Sequence, residues 1–417
     1  MFENLADFLP AQSLAKTVGS NKIIKKTMKK KIKFLTLGIL TLGIFSCSQK
    51  NNLEVEIPEI GNDTIYVENY KISNFGEDPI LDTLYSKNGK FIYNLKINEP
   101  ILSLITPKKA QYVRLNKSFY RPFEKSILLI LKPDDKISVK GNLDKTNLKY
   151  QAKGSLINES YSNFRNEYSN ALIEKSAIEL KIDSLMSKNG DRNEINRLFK
   201  KRKEKAVKAS NIQLNYIKNN LNKDISAFYL TRQPLDTLGK YFNQLTKIVK
   251  EGVFKDLLKS QFNTFEKYKK VKEAELSIKI GKEAPKFSLK NINGEKIRID
   301  YSSNKLTILD FWGSWCAPCI AGFPKMKAYY EKYNNQINFI GIACNDKEDK
   351  WKNAVKKYDL KWENLINNDD LEKDVSVIFA VMGYPTKIVI NSKGIIEGIF
   401  EGEGNDFYEK IDELRKN

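Results

Sequence analysis

The 417-residue sequence contains no histidine, and only four cysteines and four tryptophans. Without an imidazole there is no Ser-His-Asp or Cys-His nucleophile, no zinc site of the His-containing kinds, no haem on an axial histidine and no charge switch near neutral pH. Acid–base chemistry must come from carboxylates, lysines or thiols. Long apolar runs are scarce as well: Phe34 to Phe45 is twelve residues, too few to span about 30 Å of hydrocarbon. Proline is absent from 134 to 233, which leaves that stretch free to be helical.

Positive charge is plentiful, with a net +20. Its location decides what it means. Residues 1–51 carry +7, residues 281–417 balance 21 basic against 21 acidic side chains, and the remaining +13 lies in 52–280. There it is spread through alternating-sign patterns such as Lys200-Lys201-Arg202-Lys203-Glu204-Lys205. The aromatic interleaving of a nucleic-acid module is lacking. We expect solvated surface suited to anionic lipid headgroups and no nucleic-acid partner. At roughly 150 residues per domain, the length suggests two or three domains.

Met28 opens a basic segment, Met28-Lys29-Lys30-Lys31-Ile32-Lys33, followed by the apolar run and Ser46-Cys47. A basic stretch, a short apolar run and a small residue at the cleavage point form a secretory signal. Leu42-Gly43-Ile44-Phe45-Ser46-Cys47 resembles a bacterial lipobox, with Phe45 loose for that pattern. By that resemblance Cys47 is acylated and becomes the mature N-terminus. Residues 1–47 are thus expected to be leader and lipoprotein signal peptide, with translation starting at Met28. The expected location is the bacterial cell envelope, lipid-anchored and facing the periplasm.

Between 53 and 154, short β-like runs alternate with turn residues: Thr64-Ile65-Tyr66-Val67, Phe91 to Leu95 after Asn88-Gly89, Ser126 to Leu131, and Ile137-Ser138-Val139 before Gly141-Asn142. Regular spacing of short strands argues for a small all-β domain. The stretch resembles the β-rich module that precedes thioredoxin-like domains in Gram-negative envelope lipoproteins. Residues 155–275 repeat apolar positions mostly three or four apart, as in Ile195, Leu198, Phe199, Ala206, Leu214, Ile217 and Leu221. That period predicts an α-helical connector region.

From about 280 the pattern changes to strands alternating with helices. Phe287 to Ile299 turns at Asn293-Gly294, and Lys305 to Trp312 is a buried strand. Pro318 to Tyr333 is a helix, Ile337 to Ala343 a strand and Lys347 to Tyr358 a helix. Thr386 to Glu401 is a hairpin, and Asp406 to Leu414 closes the chain as a helix. Such alternation predicts an α/β sandwich with a mixed sheet. On it sits Trp315-Cys316-Ala317-Pro318-Cys319, where a strand hands over to a helix. Cysteines three apart at a helix start can close a disulfide, and the first, facing solvent, has its thiolate stabilised by the helix N-terminus. Asp310 lies six residues before Cys316 in an otherwise apolar run, costly for a carboxylate unless used. Pro385, in Gly383-Tyr384-Pro385-Thr386, stands just before a strand.

Together with Gly281-Lys282-Glu283-Ala284-Pro285-Lys286-Phe287, these elements resemble the thioredoxin superfamily, and within it the TlpA/ResA-type envelope thiol–disulfide oxidoreductases. The resemblance spans 280–417, and makes the whole a multidomain chain whose C-terminal part has the α/β thioredoxin-like fold. It implies that Cys316 is the nucleophile, that Cys319 resolves the mixed disulfide by pairing with Cys316, and that Asp310 is the buried base. It also implies that the backbone of Tyr384 beside Pro385 docks the substrate chain; Trp315, an aromatic beside the cysteines, is itself expected to shape substrate access. No cofactor or metal follows from it. The implied partners are exported proteins with disulfides or dithiols, the membrane through the lipid anchor, and a membrane electron donor if the protein is a reductase. One departure is Gly322, where ResA-type members carry an acidic residue three positions after the second cysteine; tuning by that carboxylate is expected to be lost, leaving Asp310 to act alone.

Rival assignments lack residues. Zinc needs four ligands, and Cys344 is the only other cysteine in this region. A peroxidatic site needs a threonine three before the cysteine and an arginine, whereas Gly313 stands there and no arginine occurs between Arg298 and Arg415. Cys344, at a strand end, is expected to be a buried small hydrophobe. The functional expectation is an envelope disulfide reductase. The alternatives are a dithiol oxidase, or a non-catalytic binding lipoprotein with a vestigial redox domain.

Overall fold

The computed structural model describes residues 53–114, 119–301, 303, 305–368 and 370–416. Met28, the apolar run and Cys47 lie outside the described residues. Contacts divide the chain into two units, Met1–Phe262 and Asn263–Asn417. Among the described residues, no helix is long and apolar enough to cross a membrane.

The first unit contains ten strands rich in β-branched and aromatic residues: β1 (Leu53–Glu56), β2 (Asp63–Lys71), β3 (Ile80–Ser86), β4 (Lys90–Tyr93), β5 (Ile101–Pro107), β6 (Tyr112–Val113), β7 (Phe119–Tyr120), β8 (Ile127–Leu131), β9 (Ile137–Leu143) and β10 (Leu148–Lys153). They form two four-stranded sheets, ordered β10-β9-β1-β4 and β3-β2-β5-β8, beside the β6–β7 pair. β5 and β8 are buried along their whole length, consistent with their near-continuous apolar sequence.

Six helices follow: α1 (Leu156–Ser187), α2 (Arg192–Asn219), α3 (Asp224–Leu230), α4 (Leu235–Phe242), α5 (Lys247–Lys250) and α6 (Lys255–Ala274). Polar side chains on α1 tie it to the strands that precede it. Asn158 accepts from the Ile130 amide at 2.8 Å and donates to the Ile130 carbonyl at 2.7 Å. The fully buried Arg165 guanidinium donates to the carbonyls of Leu148, Phe123, Glu124 and Ser126. These groups tie the helix to β8 and to the start of β10. Replacing Arg165 with Met would leave those carbonyls without their charged donor, and we expect a loss of about 3 kcal/mol of folding free energy. Urea titration of the full chain checks this, an unchanged midpoint being the contrary result.

The second unit contains β11 (Phe287–Asn291), β12 (Lys296–Ile299), β13 (Leu306–Trp312), α7 (Ala317–Tyr333), β14 (Ile337–Ala343), α8 (Glu348–Tyr358), β15 (Glu363–Ile366), α9 (Val375–Ile378), β16 (Thr386–Ile390), β17 (Ile396–Glu401) and α10 (Asp406–Lys416). Its seven-stranded sheet runs β12-β11-β15-β14-β13-β16-β17. β13 lies between β14, parallel, and β16, antiparallel. Strand pleating splits the core in two. Ile308 and Trp312 of β13 join Cys316, Cys319 and Phe323 on one face, while Leu309 and Phe311 join Ile342 and Cys344 on the other. Asp310, between Ile308 and Trp312, shares the pleat side of the cysteines.

β15 and α9 are absent from the sequence-based expectation. Glu363-Asn364-Leu365-Ile366 is only four residues and carries two polar ones, so periodicity does not mark it.

Candidate active site

β13 ends at Trp312, and three residues later the chain enters α7 with Cys316 as its N-cap. Its Sγ accepts a hydrogen bond from the Cys319 amide at 3.2 Å. That amide is one of the orphan donors of a helix start, so a negative charge on Cys316 Sγ would meet it and the helix N-terminus. Cys316 and Cys319 are joined as a disulfide, with their Cα atoms 5.3 Å apart. The expectation that Cys316 faces solvent is corrected: it is only 3% exposed, against 2% for Cys319. In the oxidised pair its sulfur points to its partner rather than outward.

Side chains from neighbouring loops hold the two residues that precede this pair. The Asp346 carboxylate accepts from the Ser314 amide at 2.6 Å and from the Ser314 hydroxyl at 2.8 Å. Trp315 is 42% exposed, and its indole N–H donates to the Cys344 carbonyl at 3.1 Å. The ring folds back over Gly313, where a Cβ would lie 2.5 Å from the indole nitrogen, so only glycine leaves room. Trp315 meets the Tyr384 ring edge-on, centroids 5.4 Å apart. The Tyr384–Pro385 peptide is cis, and the Pro385 carbonyl accepts from the Gly402 amide at 2.8 Å. Trp315 and Tyr384, separated by 69 positions, are thus brought together.

Beneath α7 lies a charged group of three. Asp310 of β13 faces Lys387 of β16 across the antiparallel pair. Lys387 Nζ donates to Glu403 Oε1 at 2.6 Å but stands 3.5 Å from Asp310 Oδ1. Asp310 Oδ1 has no hydrogen-bond partner among the described residues. Burial pushes the Asp310 carboxyl above its ordinary value, and the Lys387 ammonium only partly offsets this. Burial opposes the charge on Lys387, yet Asp310 and Glu403 together hold it above the usual lysine range. Glu403 is also raised, by burial first, against the pull of Lys387.

Glu403 and Lys387 escaped the sequence-based expectation. Lys387 is the one charged residue of the buried strand Thr386–Ile390 and is paired in register with Asp310; that oddity was the available signal. Glu403 sits between Gly402 and Gly404 in a turn, where no pattern marks an inward-pointing carboxylate. Its position changes the meaning of Gly322. A Cβ on Gly322 would collide with the Glu403 carboxylate, so a carboxylate does adjoin this turn of α7, supplied from β17's far end rather than from the helix.

Cys344 is buried on the opposite pleat, and burial raises its thiol far above the ordinary value. A thiol so placed is inert at neutral pH.

Residues 304–396 match the family described as thioredoxin-like. A thioredoxin-like protein, YneN, of Bacillus subtilis is 31% identical over 34% of this chain and 81% of its own length. The thiol-disulfide oxidoreductase ResA of Bacillus thuringiensis is 33% identical over 34% of this chain and 80% of its own. The crystal structure of the thioredoxin domain of a thiol-disulfide oxidoreductase from Bacteroides vulgatus matches 33% of this chain and 99% of that domain, with 22% identity and a TM-score of 0.31. A third of the aligned residues are identical over four fifths of the ResA sequence, and the chain belongs to the thioredoxin-like thiol–disulfide oxidoreductases.

Proposed function

We propose that the protein reduces disulfides of exported proteins at the bacterial cell envelope, held there by a lipid on Cys47. The observation that carries the catalytic part is the Cys316–Cys319 pair closed across the start of α7, on the pleat side that buries Asp310.

In the reduced protein, the Cys316 thiolate attacks one sulfur of a substrate disulfide. The substrate S–S bond breaks, a Cys316–substrate disulfide forms, and the departing sulfur takes a proton from solvent. Cys319 gives its proton to the Asp310 carboxylate and attacks Cys316 Sγ. The substrate leaves as a dithiol, two electrons richer, and the protein is left with the Cys316–Cys319 disulfide. An external dithiol donor at the membrane must then reduce it, since exported proteins work outside the reducing cytosol. Trp315 and Tyr384 border the path by which a substrate sulfur arrives, and Pro385 directly follows Tyr384 in the chain.

Equilibrating the full chain in dithiothreitol buffers tests the direction. A two-electron couple near −270 mV or lower supports a reductant, and one near −120 mV makes the protein an oxidant. A pair that does not cycle favours a binding lipoprotein. Cys47→Ser should move the protein from the membrane fraction to the soluble one; unchanged membrane retention would refute the anchor.

A further inference from the structure

The oddest feature beneath the dithiol is its charge count: two carboxylates, Asp310 and Glu403, and one ammonium, Lys387. The Lys387 side chain is 3% exposed and that of Asp310 7%, while Glu403 reaches solvent at 22%. One cation cannot fully compensate two anions in a low-dielectric setting. The distances say which carboxylate it serves, 2.6 Å to Glu403 and 3.5 Å to Asp310. Asp310 Oδ1 is left with the longer ion pair and no hydrogen bond, although its backbone register places it opposite Lys387.

We propose that Glu403 is a positioning residue of the redox site, which draws Lys387 away from Asp310 and thereby sets the pH range in which Asp310 exchanges a proton with Cys319. The proposal rests on the oxidoreductase reading above. Glu403 touches neither sulfur in the scheme; it acts through Lys387.

The surroundings leave Lys387 as the deciding charge. From α7, Lys325 adds positive potential at Glu403, but its ammonium donates to Asn405 Oδ1 at 2.6 Å and lies 4.1 Å from the Tyr408 ring centroid. From α10, Tyr408 faces both carboxylates, and burial together with their charge keeps its phenol neutral. Asp406 lies against Gly404. On β17, Glu401 is exposed. Gly322 completes the arrangement, since a Cβ there would overlap the Glu403 carboxylate and force it to move from its present place.

Two substitutions should move the pH profile in opposite directions. In Glu403→Gln, Lys387 loses its competing anion and turns to Asp310, favouring its ionised form. The acid limb of the resolving step should shift down by about one pH unit. In Lys387→Met, both carboxylates lose their cation, and the limb should shift up. The experiment is stopped-flow reaction of the reduced full chain with oxidised glutathione from pH 4 to 9, following release of the second glutathione thiol. Opposite shifts support the proposal. A wild-type protein that cycles normally while Glu403→Gln keeps the wild-type midpoint overturns it and leaves the oxidoreductase reading standing. A wild-type protein that never releases the second thiol overturns both.

Discussion

Cys316→Ser is expected to lower turnover of a protein disulfide such as insulin by at least about 10³-fold, to the background of the reductant alone. The nucleophile must be a thiolate, and Cys316 is the N-cap whose sulfur already accepts a helix-start amide. Neither of the other two cysteines in 280–417 can replace it. Cys319 lies inside the first turn of α7 and not at its N-cap, so its sulfur does not meet the helix-start amide that Cys316 meets. Cys344 belongs to the opposite face of the sheet, with its thiol held protonated by burial. Cys344→Ala should therefore leave turnover within about twofold, because a buried free cysteine packs as a small hydrophobe. Measuring insulin reduction by the full chain and both variants decides the matter. A Cys316→Ser protein that retains activity, or a Cys344→Ala protein that loses it, would contradict the assignment.

Asp310→Asn is expected to slow the resolving step about 10²-fold at pH 7, the lower end of what a positioned general base supplies. The pH dependence should change shape as well. Without the carboxylate, Cys319 must reach its thiolate unaided, so the deficit should shrink as pH rises past the ordinary thiol value of about 8.5. The same substitution should make the protein more stable at neutral pH. Burial raises the folded-state value of Asp310 above its unfolded one. A carboxyl so shifted contributes its stability in full below the unfolded value and loses it as pH rises through the folded value. Removing the charge avoids that loss, and Lys387 retains Glu403 as a one-to-one partner. Wild type and variant should converge in acid, where Asp310 is protonated in both folded and unfolded chains. Rates by stopped flow and urea midpoints from pH 3 to 8 check both arms. A variant that loses activity together with stability at pH 7 would make Asp310 a structural residue.

Most of the second unit was legible in the sequence because its strands are apolar and its turns carry strong signals. Ile337–Ala343 and Thr386–Ile390 have the expected bounds, and α7 begins one residue before the expected Pro318. β15 was not legible, since its four residues alternate too briefly to register. The site divides in the same way. The two cysteines, Asp310 and the Pro385 motif stand out as residue types in unusual local settings, which sequence can reveal. Glu403 and Asp346 act through contacts made by folding. Asp346 holds Ser314 from 32 positions away, and Glu403 meets Gly322 from 81 positions away. No local pattern encodes such pairings. In the first unit, the strands and helices were legible as types, but not the buried Arg165 and Asn158 that join them, because in sequence each reads as a polar residue on a helix face.

The most direct test of thiol–disulfide exchange at this site is to trap its intermediate. The full chain carrying Cys319→Ser is reduced, mixed with a disulfide-containing protein, quenched in acid and mapped by mass spectrometry of the linked peptides. A mixed disulfide through Cys316, accumulating without release of the substrate dithiol, is the predicted result. Absence of any adduct, or an adduct through Cys344, would contradict it.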